Sequence, residues 1–569
     1  MTVDTKQEEA RTEPVIVVGA GLSGLATALG VALHGRPAIV LEASELVGGA
    51  AAYSGGQVWC GANHVAAREG INDDLSTTER YVRAIAHEHP EVLDEQALLR
   101  WLNTSPLAVK HWEDVGAIRW TVIPGLADYH NEADGALDAG RYLTNEVIDG
   151  SVLGEWRERL RVSPYFPIGT TYRDMLLKGR RASYVEDSEE DTTIADHAGV
   201  PAFGQAGGRE HHHRQAAGGD PLTFGTGVVA CFLARLLKED LVEIRLSHRV
   251  MELLRDDGGR VVGARAEGPQ GPVELRGPVV LATSTYDWDP ELVREFLGLD
   301  PEDFGSVAPE SLRGDGIRLA ASVGGAIAKI PATSVPILPG WKSQVGTGYG
   351  YGPEFAMPHS MIVDRTGRRY CNDSYWVDIV AKTLDRDDRH LPFFLIWDDR
   401  HRQKYGLAAT PPGGEYPEGW VVSKPTLREL GEALGIDGEQ LELTAARFSE
   451  HAARGEDPDF GRGTVTYVNR FAGDPQNQPN PVLGEISRPP FHGLRLKFVG
   501  TGIGSSGVRI DGDGHVLDDA GAAIPGLYAV GSVAALTTMG SGYNSGFALG
   551  RGITLAYLVS GELGGASTP

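Results

Sequence analysis

The sequence predicts an α/β fold in which a buried parallel sheet draws strands from both chain ends, with a second unit between them. Three observations predict it. Pro14-Val-Ile-Val-Val18 is a continuous β-branched run leading straight into Gly19-Ala-Gly21-Leu-Ser-Gly24 and an Ala/Leu-rich helix, Leu25 to His34. At the other end, Ile524-Pro-Gly-Leu-Tyr-Ala-Val-Gly531-Ser532 is a second buried-strand pattern that opens into a glycine-broken loop and a helix start, Thr538 to Gly552. Finally, 569 residues exceed what one simple core accommodates, so two large and interleaved domains are expected.

Composition narrows the function classes. Hydrophobic residues make up 41% and charged residues 23%, as in a globular protein. The net charge of −25 repels a phosphate backbone and disfavours an anionic membrane surface, which excludes nucleic acid as a partner. Cys60, Cys231 and Cys371 are widely spaced, without a metal-ligand or disulfide pattern, as suits a reducing compartment. The N-terminus lacks an apolar core, and no run of eighteen apolar residues occurs. A cytoplasmic enzyme with no integral membrane segment is expected.

Along the chain, the first strand, turn and helix are followed by Gly35 and a second strand, Ala38-Ile-Val-Leu41, closed by Glu42 and Ala43. This is a dinucleotide fingerprint in its strand–turn–helix setting. Gly19 makes the turn, Gly21 admits the pyrophosphate with Leu22 and Ser23 beside it, Gly24 lets helix and strand pack, and Glu42 accepts from the ribose hydroxyls. Val47-Gly48-Gly49-Ala50-Ala-Ala-Tyr53-Ser54-Gly55-Gly56-Gln-Val-Trp59 follows at once. This second double glycine and the Ser-Gly-Gly-x-x-Trp pattern resemble the superfamily of FAD enzymes that contains 3-ketosteroid Δ1-dehydrogenases and fumarate reductases. The resemblance implies FAD, held non-covalently, in a glutathione-reductase-type Rossmann domain with an interleaved α+β substrate-capping domain. It also implies that residues 48–56 run from the pyrophosphate toward the isoalloxazine ring. Cys60 reads as a buried thiol and not as a covalent flavin anchor.

Residues 75–120 read as helices. Pro124-Gly-Leu-Ala-Asp-Tyr129-His130 resembles the ketosteroid enzymes, where the tyrosine lines the substrate pocket. Residues 179–220 change character, with an acidic run, Glu186 to Asp191, and His211-His-His213 among glycines. They read as a mobile surface insertion, and adjacent histidines on one strand or helix cannot converge on one metal ion. Val242 to Leu246, Val250 and the alternating segments 261–266 and 273–276 form a meander in which Val250 is expected to meet the adenine. Pro278-Val-Val-Leu-Ala-Thr283 is another buried strand, and Ser284-Thr285 stand where the superfamily carries two glycines. The expected boundaries are 1–289 for the first part of the FAD domain, 290–485 for the capping domain and 486–569 for the return.

In the capping part, Gly314-Asp315-Gly316 matches the superfamily's segment near the flavin. Pro358 to Tyr375 resembles its hairpin, with Asp373 standing for the usual glutamate. After the return, Thr501 to Val508, Gly531, Ser532, Phe547, Ala548 and Leu549 are expected around the flavin. Fumarate-reductase-like members place a histidine before the glycines equivalent to Gly504–Gly507 and an arginine in the final loop. Here the first is absent and the loop carries Tyr543, so a carboxylate substrate lacks its bidentate partner and a small hydrophobic ketone fits. The steroid enzymes typically carry Tyr-Pro-Gly-Ala-Gly in that loop, whereas this chain has Tyr543-Asn-Ser-Gly546-Phe547, which leaves room for another ketone.

The expected chemistry is desaturation next to a carbonyl. Tyr543 and the backbone N–H of Gly546 or Phe547 polarise the ketone. A tyrosine base removes the α-proton, hydride passes to flavin N5, and a separate acceptor (a quinone, a dye-like molecule or O2) takes the electrons. By resemblance the base is Tyr375, with Tyr349 and Tyr351 as rivals and Tyr129 in the pocket. The competing expectations are an enoate reductase of the fumarate or urocanate type and a catalytically silent flavin-fold binder like the Rab GDP-dissociation inhibitors.

Overall fold

The computed structural model describes residues 13–86, 90–164, 169, 171–172, 219–331, 337–342, 349–385, 387–408, 410–540 and 542–565. Most of the expected insertion, residues 179–218, lies outside these, as do its three histidines and its acidic run.

The main sheet has six strands, in spatial order His515–Leu517, Ala523–Ala529, Val279–Leu281, Val15–Val18, Ala38–Leu41 and Val242–Arg245. All neighbours are parallel except the first two. Val15–Val18 lies inside the sheet, with Ile16 beside Val279 and Val15 beside Ala38. Its residues are at most 5% exposed, which explains an unbroken β-branched run where a half-exposed strand would alternate. Both chain ends therefore supply this sheet. They also supply helices that touch: Leu22–Leu33 packs against Phe547–Leu563. Of the expected meander, Arg249–Arg255, Val261–Gly268 and Gly271–Arg276 form an antiparallel sheet, whereas Val242–Arg245 joins the main sheet beside Ala38–Leu41.

The intervening chain builds two further four-stranded sheets. One orders Phe304–Ser306, Lys497–Gly500, Leu338–Lys342 and Tyr349–Tyr351. The other orders Ser360–Asp364, Phe393–Trp397, Phe491–Arg495 and Val422–Lys424. Residues 491–500 thus pair with strands of the second unit, beyond the boundary expected at 485.

The hairpin expected over 358–375 has one arm only. Ser360–Asp364 pairs with Phe393–Trp397, and a turn at Asp364–Gly367 follows. The returning arm is irregular because its side chains serve a buried ion cluster. Arg369 binds Asp373 at 2.7 Å and Asp457 at 2.8 Å, and Arg462 reaches Asp373 at 3.2 Å. Asp373 also accepts the Ile362 N–H, so it ties the arm back to the strand without a ladder. Arg462 donates to the Phe355, Met357 and Val482 carbonyls and so fixes the short turn Pro353–Ala356.

At the opposite edge, His515 stands between Asp511 at 2.8 Å and Glu562 at 3.0 Å. Hydrogen bonds to these two carboxylates raise its pKa to about 10, against an ordinary value of about 6.5. The clamp's stabilisation is therefore full below about pH 6.5 and is lost as pH rises through about 10. Thermal unfolding should show wild type losing more stability than His515→Gln between pH 6.5 and 10. Equal losses would remove the clamp from the stability account.

Candidate active site

One elongated cavity runs from the fingerprint turn to the capping unit. At its first end lie Gly19, Gly21, Leu22, Ser23, Glu42, Ala43, Arg249 and Val250. Gly21 has an extended backbone, φ −76°, at the N-cap of the first helix. A methyl group built on it would meet nothing within 4 Å, whereas one on Gly24 would strike the Gly19 carbonyl at 2.0 Å. Gly24 therefore serves packing, and Gly21 keeps cavity space open. The Glu42 carboxylate is aimed by three donors: Ala20 N–H at 2.9 Å, Ser44 N–H at 2.9 Å and the Ser44 hydroxyl at 2.8 Å. A carboxylate has about four acceptor positions, so one remains for a ligand. Ser284 also lines the wall, at φ +62°, in the left-handed region where glycine is the usual occupant.

Midway, Gly49, Ala50, Ser54, Gly55 and Gly56 form one wall, with Gly531, Ser532, Ala548 and Leu549 elsewhere around the cavity. Gln57 Oε1 and Thr283 Oγ1 are buried on this cavity and meet no hydrogen-bond partner among the described residues. Buried polar atoms are rarely left unpaired without a ligand to meet them. A long cavity with an open glycine turn, an aimed carboxylate, a helix N-terminus and orphaned polar atoms fits a dinucleotide cofactor with a ring at its inner end.

The far end is aromatic. Tyr129, Tyr172, Tyr351, Trp376, Tyr467 and Tyr543 line it. The Tyr129 ring lies 4.3 Å from Tyr467 and 6.2 Å from Tyr543, centroid to centroid. Burial pushes the Tyr543 phenol well above its ordinary value, and the neighbouring Tyr129 and Tyr351 push it further. Burial lifts Tyr129 to about 12. These phenols therefore stay protonated as donors. Among the described residues lining the cavity, the only Arg or Lys is Arg249, at the fingerprint end, where it pairs with Asp315.

Gly546 is the N-cap of Phe547–Leu563, at φ +78°. Its carbonyl accepts the Trp59 N–H at 3.0 Å, and its own N–H meets no protein acceptor among the described residues. Phe547 differs from expectation. Its N–H is taken by the Asn544 carbonyl at 3.1 Å, and its ring packs against Trp101 and Trp59, off the cavity wall. Gly24 and Gly48 also lie behind the wall.

Tyr375 does not line the cavity. It is the N-cap of Trp376–Thr383, which turns Trp376 inward and the Tyr375 hydroxyl toward His130 Nδ1 at 3.5 Å. Tyr349 is half-buried and packs against Gly305. Of the three base candidates only Tyr351 lines the cavity, while Tyr375 meets His130. Reading the sequence missed Tyr172, Tyr467, Trp376 and Gln57. Trp376 follows Tyr375 directly and Gln57 sits inside the glycine motif, but Tyr172 and Tyr467 carry no local signal.

Comparison with known proteins places these features in context. The family described as FAD binding domain matches residues 14–555. The 4-oxocyclohexanecarboxylate 2-dehydrogenase of Sinomonas cyclohexanicum is 29% identical, over 97% of this chain and 93% of its own length. The 3-oxosteroid 1-dehydrogenase of Mycolicibacterium smegmatis is 28% identical, over 96% of each chain. In architecture the chain is similar to the crystal structure of 3-ketosteroid delta1-dehydrogenase from Sterolibacterium denitrificans, solved with 1,4-androstadiene-3,17-dione. The TM-score is 0.84, with 22% identity, covering 98% of this chain and 100% of that one.

Because only a ligand would meet a methyl group at position 21, Gly21→Ala should leave the thermal stability of the cofactor-free protein unchanged. Its affinity for the nucleotide cofactor, measured by fluorescence titration, should fall by about tenfold or more. Unchanged affinity would move the ligand away from this turn.

Proposed function

Because the chain belongs to the FAD binding domain family and binds FAD, we propose that it is a dehydrogenase that places a C=C bond next to the carbonyl of a neutral, hydrophobic ketone. A separate acceptor removes the electrons. The observation that carries this reading is that Tyr543 and Gly546, with its open N–H, line the same cavity, at an aromatic end with no cation among its described residues.

Gly21, Glu42 and Val250 would hold the nucleotide half, while Gly49 to Gly56, Gly531, Ser532, Ala548 and Leu549 would hold the flavin half. Cys60 is fully buried, off the cavity, and burial raises its thiol to about 12, which supports non-covalent binding. When bound, FAD supplies the hydride acceptor. The protein supplies the rest. Tyr543 O–H and Gly546 N–H donate to the ketone oxygen, and both bonds strengthen as charge builds on that oxygen during α-proton loss. The half-buried Tyr351 would take that proton as its phenolate and become the neutral phenol. The Tyr129 phenol, protonated and beside Tyr543 on the same cavity end, would add a donor to the developing charge, and the ring of aromatics keeps water from the enolate.

The two curated relatives differ in substrate by name, one a carboxylated cyclohexanone and the other a 3-oxosteroid, at nearly equal identity. Identity therefore does not choose between them, and the chemistry of the described cavity residues favours the neutral one. A carboxylate desolvated among phenols without a cation loses its hydration for no charged partner. Neutral ketones of the 3-oxosteroid type fit, ahead of carboxylated ones.

Tyr543→Phe should retain FAD and its yellow colour while turnover with an acceptor dye falls about a hundredfold or more. Tyr351→Phe should do the same, and Tyr375→Phe should cost far less. Burial holds the Tyr543 phenol well above 10, so loss of its donated proton should not depress turnover until beyond that pH. Undiminished turnover in Tyr543→Phe would remove the phenol from the reaction.

A further inference from the structure

The phenols of Tyr129 and Tyr543 come from segments more than four hundred residues apart, yet their ring centroids lie 6.2 Å apart. One amide joins the two segments. Asn544, 0% exposed, follows Tyr543 in the final loop. Its Oδ1 accepts from the Tyr129 backbone N–H at 3.1 Å and from the Tyr81 hydroxyl at 2.6 Å. Its Nδ2 donates to the Tyr142 hydroxyl at 2.8 Å and to the Ser545 carbonyl at 3.3 Å. The amide cannot be turned over, because the Tyr129 N–H is an obligate donor and requires Oδ1 opposite it.

A second link closes the circuit. His130 Nε2 donates to the Tyr543 carbonyl at 3.2 Å, and the His130 N–H donates to the same Tyr81 hydroxyl at 3.3 Å. A side chain of each segment thus binds the backbone of the other, Asn544 to Tyr129 and His130 to Tyr543, with Tyr81 shared between the links. Asn544 itself does not line the cavity.

We propose that Asn544 is a positioning residue that sets the spacing of the Tyr129 and Tyr543 phenols by holding the Tyr129 backbone. Side chains of similar or smaller size do not reproduce this pattern. Aspartate removes both donors and buries a charge, leucine removes every partner, and alanine takes the acceptor from the Tyr81 O–H and the Tyr129 N–H and the donor from the buried Tyr142 hydroxyl. Misplacement of a reacting group by about 1 Å costs about a hundredfold in rate. The inference rests on the ketone-dehydrogenase reading for its kinetic consequence, and on geometry alone for the link itself.

The test is a double-mutant cycle on the FAD-loaded protein with Asn544→Ala and Tyr129→Phe. The kcat of Asn544→Ala should fall about a hundredfold with flavin content unchanged. In the Tyr129→Phe background the same substitution should cost much less, because the phenol it positions is gone. Amide hydrogen exchange should rise over residues 125–131 as well as over the final loop. Tyr81→Phe, which removes one partner of the amide and leaves the loop intact, should show the same non-additivity should Asn544→Ala fail to fold. Equal costs in both backgrounds, or unchanged exchange over 125–131, would overturn the positioning role. Wild-type protein inert toward every ketone would defeat the functional reading instead, while the exchange measurement would still decide the link.

Discussion

Desolvation of a phenol is the constraint on which the site depends. Buried without a cation, Tyr543 is held far above its ordinary pKa, so it donates a proton and does not carry charge. A donor of that kind helps only where negative charge develops on an uncharged acceptor, and a ketone on the way to its enolate is such an acceptor. The open Gly546 N–H, at the start of a 17-residue helix, adds a second donor backed by the helix dipole. An arginine in place of Tyr543 would favour a carboxylate, so the absence of cations from the described far wall matters as much as the presence of phenols.

The rest of the molecule holds these donors still. Arg141, 1% exposed, lies between Asp73 and Asp128, each at 2.8 Å. Asp128 also takes the Trp59 indole N–H at 2.7 Å, so one buried ion cluster anchors both the glycine motif before Trp59 and the residue before Tyr129. In the capping unit, Arg462 fixes the turn that carries Phe355 to the cavity. Such buried pairs add little net stability, but removing one partner typically costs about 3–5 kcal/mol. Their contribution is a fixed geometry.

The first half of the site was legible because its chemistry is local. Gly19, Gly21, Gly24 and Glu42 lie within one strand–turn–helix–strand segment, and the need for backbone approach leaves glycines at set spacings. The parallel sheet was legible for a similar reason: full burial leaves β-branched runs at 15–18, 38–41 and 279–281. The second half was harder because its partners meet only in three dimensions. Tyr172 and Tyr467 look like any core tyrosine in sequence. Tyr375 stands just after the Asn372-Asp373 turn, where the family resemblance implies a base, but it is Trp376, the first residue of the helix, that lines the cavity. Asn544 read as a departure from a proline, and its meaning lies in Tyr81 and Tyr142, which precede it by 463 and 402 residues.

The central claim is that the aromatic end activates a neutral ketone for oxidation. The most direct measurement is anaerobic mixing of the FAD-loaded protein with a panel of 3-oxosteroids, simple cyclohexanones and their carboxylated counterparts, with the flavin absorbance followed. The account predicts bleaching by neutral ketones that carry a CH–CH pair next to the carbonyl, and weaker binding of the carboxylated compounds. No bleaching by any ketone, with rapid reoxidation of viologen-reduced protein by a carboxylated alkene, would contradict it.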